Sequence, residues 1–392
     1  MAPFLVMEVL ERAAALERQG RSIIHMEVGE PDFDTPAPIM EAGIRAIRDG
    51  RTHYTHSLGS MELREAVAGS MLRRHGVEVS PERVVVTVGS SGALLLTLSA
   101  ILDPGSRVVM TDPHYACYPN FVRACGGVSV RLPVREADGF QYDPEAVREA
   151  LTPDTRAVLL NSPANPTGIV TSRERMVALV EVACGRALIV SDEIYHGLVY
   201  EGEATSILEL CDDAAVVSGF SKLYAMTGWR LGYVILPQGL VRPVQKLQQN
   251  LFISAPDFAQ VAAVAALTQA DEDVERMRRC YDERRKLVLR RLAEMDLACL
   301  VEPTGAFYVF VNVSRYTDDV HAFAFRILEE ASVAVTPGVD FGPHGEGYLR
   351  LSYANSLENL EEGLARLRAF LEKQEAVLQI AGELHGRLGY LP

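Results

Sequence analysis

Lys222 is set among residues that suit an amine used for chemistry. The apolar run 214–217 reads as a buried strand, and Ser218, Gly219 and Ser221 separate it from the lysine. Such small residues let the backbone come close to a ligand. Arg230 stands eight residues past the lysine, between Gly228 and Gly232. A lysine after a strand is, by itself, an ordinary solvated residue. With hydroxyls and an arginine beside it, the amine can condense with an aldehyde while the guanidinium and hydroxyls hold a phosphate on the same molecule.

A molecule with both groups is pyridoxal 5'-phosphate, and its other requirements point to further places in the chain. The run 157–160 leads into NSPANPTG, which holds Asn161, Asn165, Thr167 and Gly168. The run 187–190 leads into SDEIY, which holds Asp192 and Tyr195. A pyridine nitrogen draws electrons only while protonated, and a carboxylate within hydrogen-bond reach favours that cation. Asp192 suits this role; standing alone it is equally a helix N-cap or an exposed loop acid. Tyr195 and Asn165 suit a hydrogen bond to the cofactor's phenolic oxygen, although singly they read as a core tyrosine and a turn residue before Pro166. Gly89, Ser90, Ser91, Gly92 and Ala93 lie between a strand and a helix, where free N–H groups and two hydroxyls make an anion site. A serine N-cap has the same appearance. Tyr115, after the next strand, is either a ring that stacks on the pyridine or a turn tyrosine. Arg350, in YLRLSYA, is a cation inside an apolar strand and must meet an anion. That anion is a substrate carboxylate gripped by both guanidinium nitrogens, or a structural ion-pair partner.

These residues are far apart in sequence, so a common scaffold must gather them. In an open parallel sheet the carboxyl ends of the strands share one edge, and ligands bind in the crevice there. The patterning supplies such a sheet. Strands are expected at 84–88, 108–111, 128–132, 157–160, 187–190, 214–217 and 231–236, with helices at 91–102, 115–124, 144–151 and 173–184. Their alternation implies an α/β fold, with a mostly parallel sheet covered by helices on both faces. Ahead of it the sequence predicts a helix at 6–19, a short strand or extended piece at 23–28, an irregular loop at 29–36 and helices at 38–48 and from 61. Residues 241–295 read as helical with a break at Pro256, and the charged stretch 271–291 as a solvated helix face. The remainder reads as a smaller α+β layer, with strands at 306–311 and 348–351 and helices at 320–330 and 357–372. The expected division is a large cofactor-binding domain at 45–290 and a small domain built from 1–44 and 291–392.

Composition narrows the class. The net charge of −14 argues against a nucleic-acid or anionic-membrane surface. No apolar run approaches the roughly 18 residues of a membrane span. The N-terminal stretch carries Glu8 and Glu11 and reads as an amphipathic helix, not a signal peptide. The six cysteines show no CxxC pair or regular spacing, so free thiols of a cytoplasmic protein are expected, with neither a zinc site nor a disulfide framework. His53 and His56 flank Tyr54, but without further ligands they are a weak metal signal, and no metal is expected.

From Gly219 to Gly232 the lysine stretch resembles, position by position, the signature of the class I/II aminotransferases of fold type I, the aspartate aminotransferase-like superfamily. Gly29-Glu30-Pro31-Asp32-Phe33, Tyr54 with Gly59 and Leu63-Arg64, NPTG, Asp192 with Tyr195, and Arg350 follow in the family's order. They cover the chain from about residue 20 to 355. The resemblance implies that Lys222 forms a Schiff base with the cofactor and later carries the proton, with Asp192 at the ring nitrogen and Tyr195 and Asn165 at the phenolate. It implies that Ser90, Ser91, Gly92, Ser221 and Arg230 hold the phosphate and that Tyr115 stacks on the ring. Arg350, helped by the backbone at Gly29, takes the substrate α-carboxylate. Tyr54 reaches the phosphate of a neighbouring subunit, so active sites are shared across a homodimer. The implied reaction moves an amino group from an L-amino acid to a 2-oxo acid. Ser91 stands where some aspartate-using relatives place a lysine, and the covering segment 4–7 is apolar. Both turn the expectation from aspartate toward an apolar, alanine-like or aromatic donor. A C–S β-lyase on the same scaffold begins with the same proton removal and is the alternative. A non-catalytic regulatory protein on this fold would not need Lys222, Asp192 and Arg350 together.

Overall fold

The computed structural model describes residues 4–388. In chain order the strands are β1 (Ile24–His25), β2 (Val84–Thr87), β3 (Arg107–Asp112), β4 (Val128–Pro133), β5 (Thr155–Asn161) and β6 (Leu188–Asp192). They continue with β7 (Ala215–Gly219), β8 (Gly232–Ile235), β9 (Tyr308–Asn312), β10 (Val333–Ala334), β11 (Thr336–Pro337) and β12 (Tyr348–Ser352). The large sheet has seven strands in the order β2-β8-β7-β6-β5-β3-β4. β8 runs antiparallel to β2 and β7, and the other neighbours are parallel. The helices are α1 (Leu5–Arg18), α2 (Ala37–Arg48), α3 (Met61–His75), α4 (Gly89–Ile101), α5 (Tyr118–Ala124) and α6 (Pro144–Ala150). After them come α7 (Arg173–Ala183), α8 (Gln238–Leu251), α9 (Asp257–Gln269), α10 (Asp271–Ala293), α11 (Val320–Arg326) and α12 (Leu357–Leu388).

The inner strands of the large sheet are apolar on both sides because both sides are buried, whereas the edge strand β4 is half-exposed. Successive residues of a strand face opposite ways. Val84, Val86, Val158, Leu160, Ile189 and Val216 enter one core, shared with α3, α6 and α7. Val85, Ala157, Leu159, Val190, Ala215 and Val217 enter the other, shared with α4, α5 and α8. None of these strand residues is more than 3% exposed, so an unbroken apolar run replaces the alternation of a half-solvated strand. Local signals fix helix ends: Ser60 accepts the Leu63 N–H at the start of α3, and Gly76 closes it in the left-handed region at φ 66°.

A second, antiparallel sheet has the order β11-β12-β9, and β1 pairs in parallel with β10. α1 packs on β10 and β11, and α12 on β1 and α10, which joins the N-terminal segment to this region.

Several expectations are corrected. Of the strand or extended piece at 23–28 only β1 is regular strand; past it the Met26 N–H still donates to the Ala334 carbonyl of β10 and the Met26 carbonyl accepts the Ser352 N–H of β12, while the Glu27 carbonyl accepts from the side chains of Thr336 and Arg350. α5 begins only at Tyr118, after a turn through Pro113. The helical stretch 241–295 is three helices, broken at Phe252 to Pro256 and again at Ala270. The charged face of α10 is not wholly solvated: Arg284 and Arg285 are 6% and 3% exposed. Arg284 grips Asp32 with both terminal nitrogens at 2.7 and 2.8 Å, and Arg285 donates to Glu201, Asp282 and the Pro303 carbonyl. Free thiols are found at Cys117, Cys125, Cys280 and Cys299. Cys184 and Cys211 instead form a disulfide, with Cα atoms 6.8 Å apart. Sequence spacing misses the pair because a tertiary juxtaposition makes it: the end of α7 meets the turn that leads into β7.

Candidate active site

The carboxyl ends of β5, β6 and β7 deliver Asn161, Asp192 and Gly219 to one edge of the large sheet, with Asn161 and Asp192 in register as neighbours. Lys222 follows three residues after β7. Together with the region around the second sheet, this edge encloses a cavity of about 320 Å³. Its lining includes Lys222, Asp192, Tyr195, Tyr115, Asn165 and Arg350. Ser90, Ser91, Ser221, Arg230 and Gly29 line it as well.

Asp192 is buried, with its Oδ2 accepting the Tyr118 hydroxyl at 2.7 Å and its Oδ1 accepting the Ile194 N–H at 3.2 Å. Burial pushes its carboxyl up to about 6, against the pull of those two donors. Asn161 holds the strand end in place, donating to the Asp192 carbonyl at 3.0 Å while its Oδ1 accepts the Asn165 N–H at 2.8 Å. The Lys222 Nζ donates to the Gly29 carbonyl at 2.6 Å. Burial pulls its ammonium down to about 8; Glu30 opposes this, and the Arg350 and Arg230 cations add to it. The Tyr195 hydroxyl is 2.7 Å from that of Tyr308, and burial raises it well above the ordinary tyrosine range, so it stays protonated.

Arg350 lies on β12, opposite Phe310 of β9 and Thr336 of β11. Its Nη1 donates to Asn165 Oδ1 at 2.9 Å, and its Nη2 to the Glu27 carbonyl and to Thr336 Oγ1. The guanidinium carbon stands 4.5 Å from the centre of the Tyr308 ring and 4.9 Å from that of Phe341. Because Asn165 Oδ1 accepts from Arg350, the other end of that amide is left to act as a donor. No carboxylate is among these side-chain partners, so the ion-pair explanation of Arg350 is not met.

The start of α4 and the end of the Lys222 loop meet at unusually close range. Gly89 has φ 71°, and a Cβ there would lie 2.8 Å from Arg230 Nη2. A Cβ on Gly232 would lie 2.6 Å from the Ser90 nitrogen. The Ser90 and Ser91 N–H groups at a helix start, the Ser221 hydroxyl and the Arg230 guanidinium thus converge on one spot, a donor set that fits a phosphate. Beside it stand an amine, a carboxylate and phenolic donors. The residues present therefore fit pyridoxal phosphate.

On the open side, α1 contributes an apolar wall of Val6, Met7 and Leu10, with Phe4 just ahead of it. Phe4 meets the Tyr115 ring edge-on at 6.4 Å. Asp340 anchors this segment, accepting the Leu5 and Val6 N–H groups at 2.8 and 3.3 Å.

Two expected site residues stand apart. Gly92 is buried one residue past the cavity lining. Tyr54 is 80% exposed and lies beside residues 254–258, away from its own chain's cavity. Sequence reasoning missed Tyr118, Tyr308, Asp340 and Arg284. Only Tyr118 had a visible signal, as a second tyrosine three residues after Tyr115 in DPHYACY. A larger cleft of about 1000 Å³ opens beyond Ile194 and Gly219, but it contains none of Lys222, Asp192 and Arg350. Among the described residues no cluster of His, Cys, Asp and Glu could hold a metal ion, and no helix is long and apolar enough to cross a membrane.

Comparison with known proteins assigns the chain to a family. The family described as "Aminotransferase class I and II" matches residues 21–367. The chain is 43% identical over 375 residues to the (5-formylfuran-3-yl)methyl phosphate transaminase of Methanocaldococcus jannaschii, covering 94% of this chain and 97% of that one. It is 42% identical to the aspartate/prephenate aminotransferase of Thermus thermophilus, over 95% of this chain and 97% of that one. The solved structure of aspartate aminotransferase from Thermus thermophilus with maleate superposes with a TM-score of 0.91 at 41% identity, covering 94% and 97% of the two chains. The chain belongs to the class I and II aminotransferases of fold type I, and is a pyridoxal-phosphate-dependent enzyme that transfers amino groups between amino acids and 2-oxo acids.

Proposed function

We propose that this aminotransferase takes its amino group from an L-amino acid with an apolar, alanine-like or aromatic side chain, and that Lys222 is both the amine that joins the cofactor and the carrier of the reacting proton. The charge inventory of the cavity carries this reading. Its lining contains three cations, Lys222, Arg230 and Arg350. Arg230 belongs to the phosphate cradle, Arg350 is placed for an α-carboxylate, and Lys222 performs the chemistry. Among the described residues lining the cavity, no further cation is left for a second substrate carboxylate, and Phe4, Val6, Met7 and Leu10 favour an apolar group.

Bound here, pyridoxal phosphate supplies an aldehyde carbon for amines and a pyridinium ring that draws electrons. Asp192 would pair with the ring nitrogen, where a cation would favour its ionised form. Tyr195 and the Asn165 amide would donate to the phenolic oxygen. Ser90, Ser91, Gly92, Ser221 and Arg230 would hold the phosphate, and Tyr115 would cover the ring. Arg350 and the Gly29 backbone orient the α-carboxylate. Lys222, with its proton affinity lowered by burial, then takes up and returns the α-proton.

The test is a half-reaction. Cofactor-loaded protein is mixed with alanine, aspartate, an aromatic amino acid and cystathionine, singly. The loss of the enzyme's visible absorbance is followed, and the products are identified. An aromatic or alanine-like donor should react fastest and aspartate at least about tenfold more slowly, the cost of a carboxylate without a partner. Equal rates for aspartate would overturn the donor assignment. Ammonia and pyruvate from cystathionine alone would point instead to the β-lyase, which no observation here favours.

The proposal includes a cytoplasmic homodimer in which Tyr54 reaches the partner's phosphate. Tyr54 stands exposed beside residues 254–258, away from its own chain's cavity, where it is free to reach a partner, and the exposed Leu251 and Ile253 precede that stretch. Mixing Tyr54→Phe with Lys222→Ala subunits should restore activity above either parent, because each hybrid contains one intact site. No gain on mixing would remove the shared site from the proposal.

A further inference from the structure

We infer that Cys184 and Cys211 form a reversible thiol–disulfide modification site, a clip across the β6–β7 crossover that small thiols open by attack at the Cys184 sulfur. The bond has a definite place in the fold. Cys184 is the C-cap of α7, just ahead of β6. Cys211 follows the short turn Ile207–Glu209, just ahead of β7. β6 and β7 are parallel neighbours. The disulfide therefore ties together the two segments that lead into them, at the edge of the sheet opposite Asp192 and Gly219. The ring it closes spans a sequence separation of 27 and contains Asp192, Glu193 and Tyr195.

The two cysteines differ in exposure. Cys184 is exposed, whereas Cys211 is 6% exposed and belongs to the core with Leu179, Val182 and Ala183. Exchange begins with a thiolate attacking one sulfur while the other leaves. Access selects Cys184 as the sulfur attacked and Cys211 as the leaving thiolate. A small thiolate joins the Cys184 sulfur, the protein disulfide breaks, and the Cys211 thiolate takes a proton. A second small thiol then frees Cys184 and departs as the small-molecule disulfide. Two thiols are oxidised and one protein disulfide is reduced. The reverse run, with glutathione disulfide as oxidant, closes the clip.

Other contacts hold the same crossover, and they set the size of the effect. Glu209 accepts from Arg173 at 2.5 Å and lies 3.2 Å from His75 Nδ1. Glu193 Oε1 accepts the Ser191 hydroxyl and the Ile207 N–H at 3.0 and 2.9 Å. β6 is five residues long, which at about 3.3 Å per residue keeps the bond well away from Asp192. With the path in place without the bond, the clip acts on stability and not on the chemistry. Closing a loop of this size limits the unfolded chain and raises the thermal midpoint by about 3–8 °C.

The test uses the holoenzyme equilibrated in glutathione disulfide or in excess reduced glutathione. Each sample is denatured, alkylated with iodoacetamide, reduced and alkylated again with N-ethylmaleimide. After oxidation the second label should fall on Cys184 and Cys211 alone; after equilibration with the thiol it should fall on neither. Oxidised wild type should melt about 3–8 °C above reduced wild type, and Cys184→Ser should melt with the reduced form under either condition. Initial rates of the three should agree within about twofold. The inference is overturned if all six cysteines take the first label after oxidation, if the second label falls elsewhere, or if the two redox forms melt together. A larger loss of rate in Cys184→Ser would overturn the assignment to stability.

Discussion

The two walls of the active-site cavity bury charge in opposite ways. On the strand-edge wall, Lys222 and Asp192 have few partners: one carbonyl for the amine, and one hydroxyl and one N–H for the carboxylate. Burial accordingly moves the amine down to about 8 and the acid up to about 6, both toward neutrality. On the second-sheet wall, Arg350 has acceptors on both terminal nitrogens and aromatic rings at 4.5 and 4.9 Å. A proton is exchanged where burial is under-compensated, and a fixed charge is held where it is well compensated. The carboxyl edge of the large sheet thus supplies the reactive side, and the middle strand of the second sheet the gripping side.

The sharpest way to test this contrast is Lys222→Ala. Loss of a positioned base that is also the covalent anchor should lower turnover by at least about a thousandfold. The phosphate cradle of Ser90, Ser91 and Arg230 would still retain cofactor, measurable by absorbance after desalting. Cofactor-free wild type should show the matching pH dependence. Because the folded-state pKa of its amine lies below that of a free lysine, the neutral amine appears as pH rises through about 8, and the rate at which added pyridoxal phosphate joins Lys222 rises with it. In the cofactor-free protein the same shift makes this group's contribution to stability present above the free-lysine pKa and lost as pH falls through about 8. A joining rate flat across that range would remove the lowered proton affinity of Lys222 from the contrast.

Arg350→Lys probes the other wall with a smaller expected effect. The charge is kept, but the fork that reaches Asn165, Glu27 and Thr336 together is lost. The loss of charge-assisted hydrogen bonds worth about 1.5–3 kcal/mol predicts a fall of about 10–100-fold in kcat/KM. Most of it should appear in KM, with the pH profile unmoved. A displaced pH profile would mean that the two walls are electrostatically one unit, and the contrast would fail.

The parts of the site legible in the sequence were those where a residue type conflicted with its surroundings. Lys222, Asp192 and Arg350 stood out because each is a charge at the end of, or inside, an apolar run. Most of the seven strands were legible because burial on both faces leaves unbroken runs of Val, Ile, Leu and Ala; the half-exposed edge strand β4 was legible from its alternation of apolar and polar residues instead. The supporting contacts were not. Tyr118 meets Asp192 across 74 residues and Arg284 meets Asp32 across 252, distances over which no local pattern acts. β10 and β11 have two residues each, too few for any periodicity. The Cys184–Cys211 pair and the solvated reading of α10 failed for the same reason: both depend on what the fold brings alongside.

Asp340 is the smallest and most selective test of the gripping wall. α1 has no side-chain cap of its own, because Phe4 occupies the N-cap position. Asp340 accepts two N–H groups of the first turn from 335 and 334 residues away, and its charge favours the positive end of the helix. The cap therefore also docks the helix, and it presents Phe4, Val6 and Met7 to the cavity. Asp340→Ala should cost about 0.5–2 kcal/mol of that docking. An aromatic donor that leans on the apolar wall should then show a KM several-fold higher, while alanine, whose methyl reaches little of it, should change less. The single-turnover rate at saturating donor should hold, since Lys222 and Asp192 are untouched. Asp340→Asn, which keeps an acceptor, should fall between the two. Equal losses for alanine and the aromatic donor would mean that α1 closes the site without reading the side chain, and the apolar wall would then lose its part in donor choice.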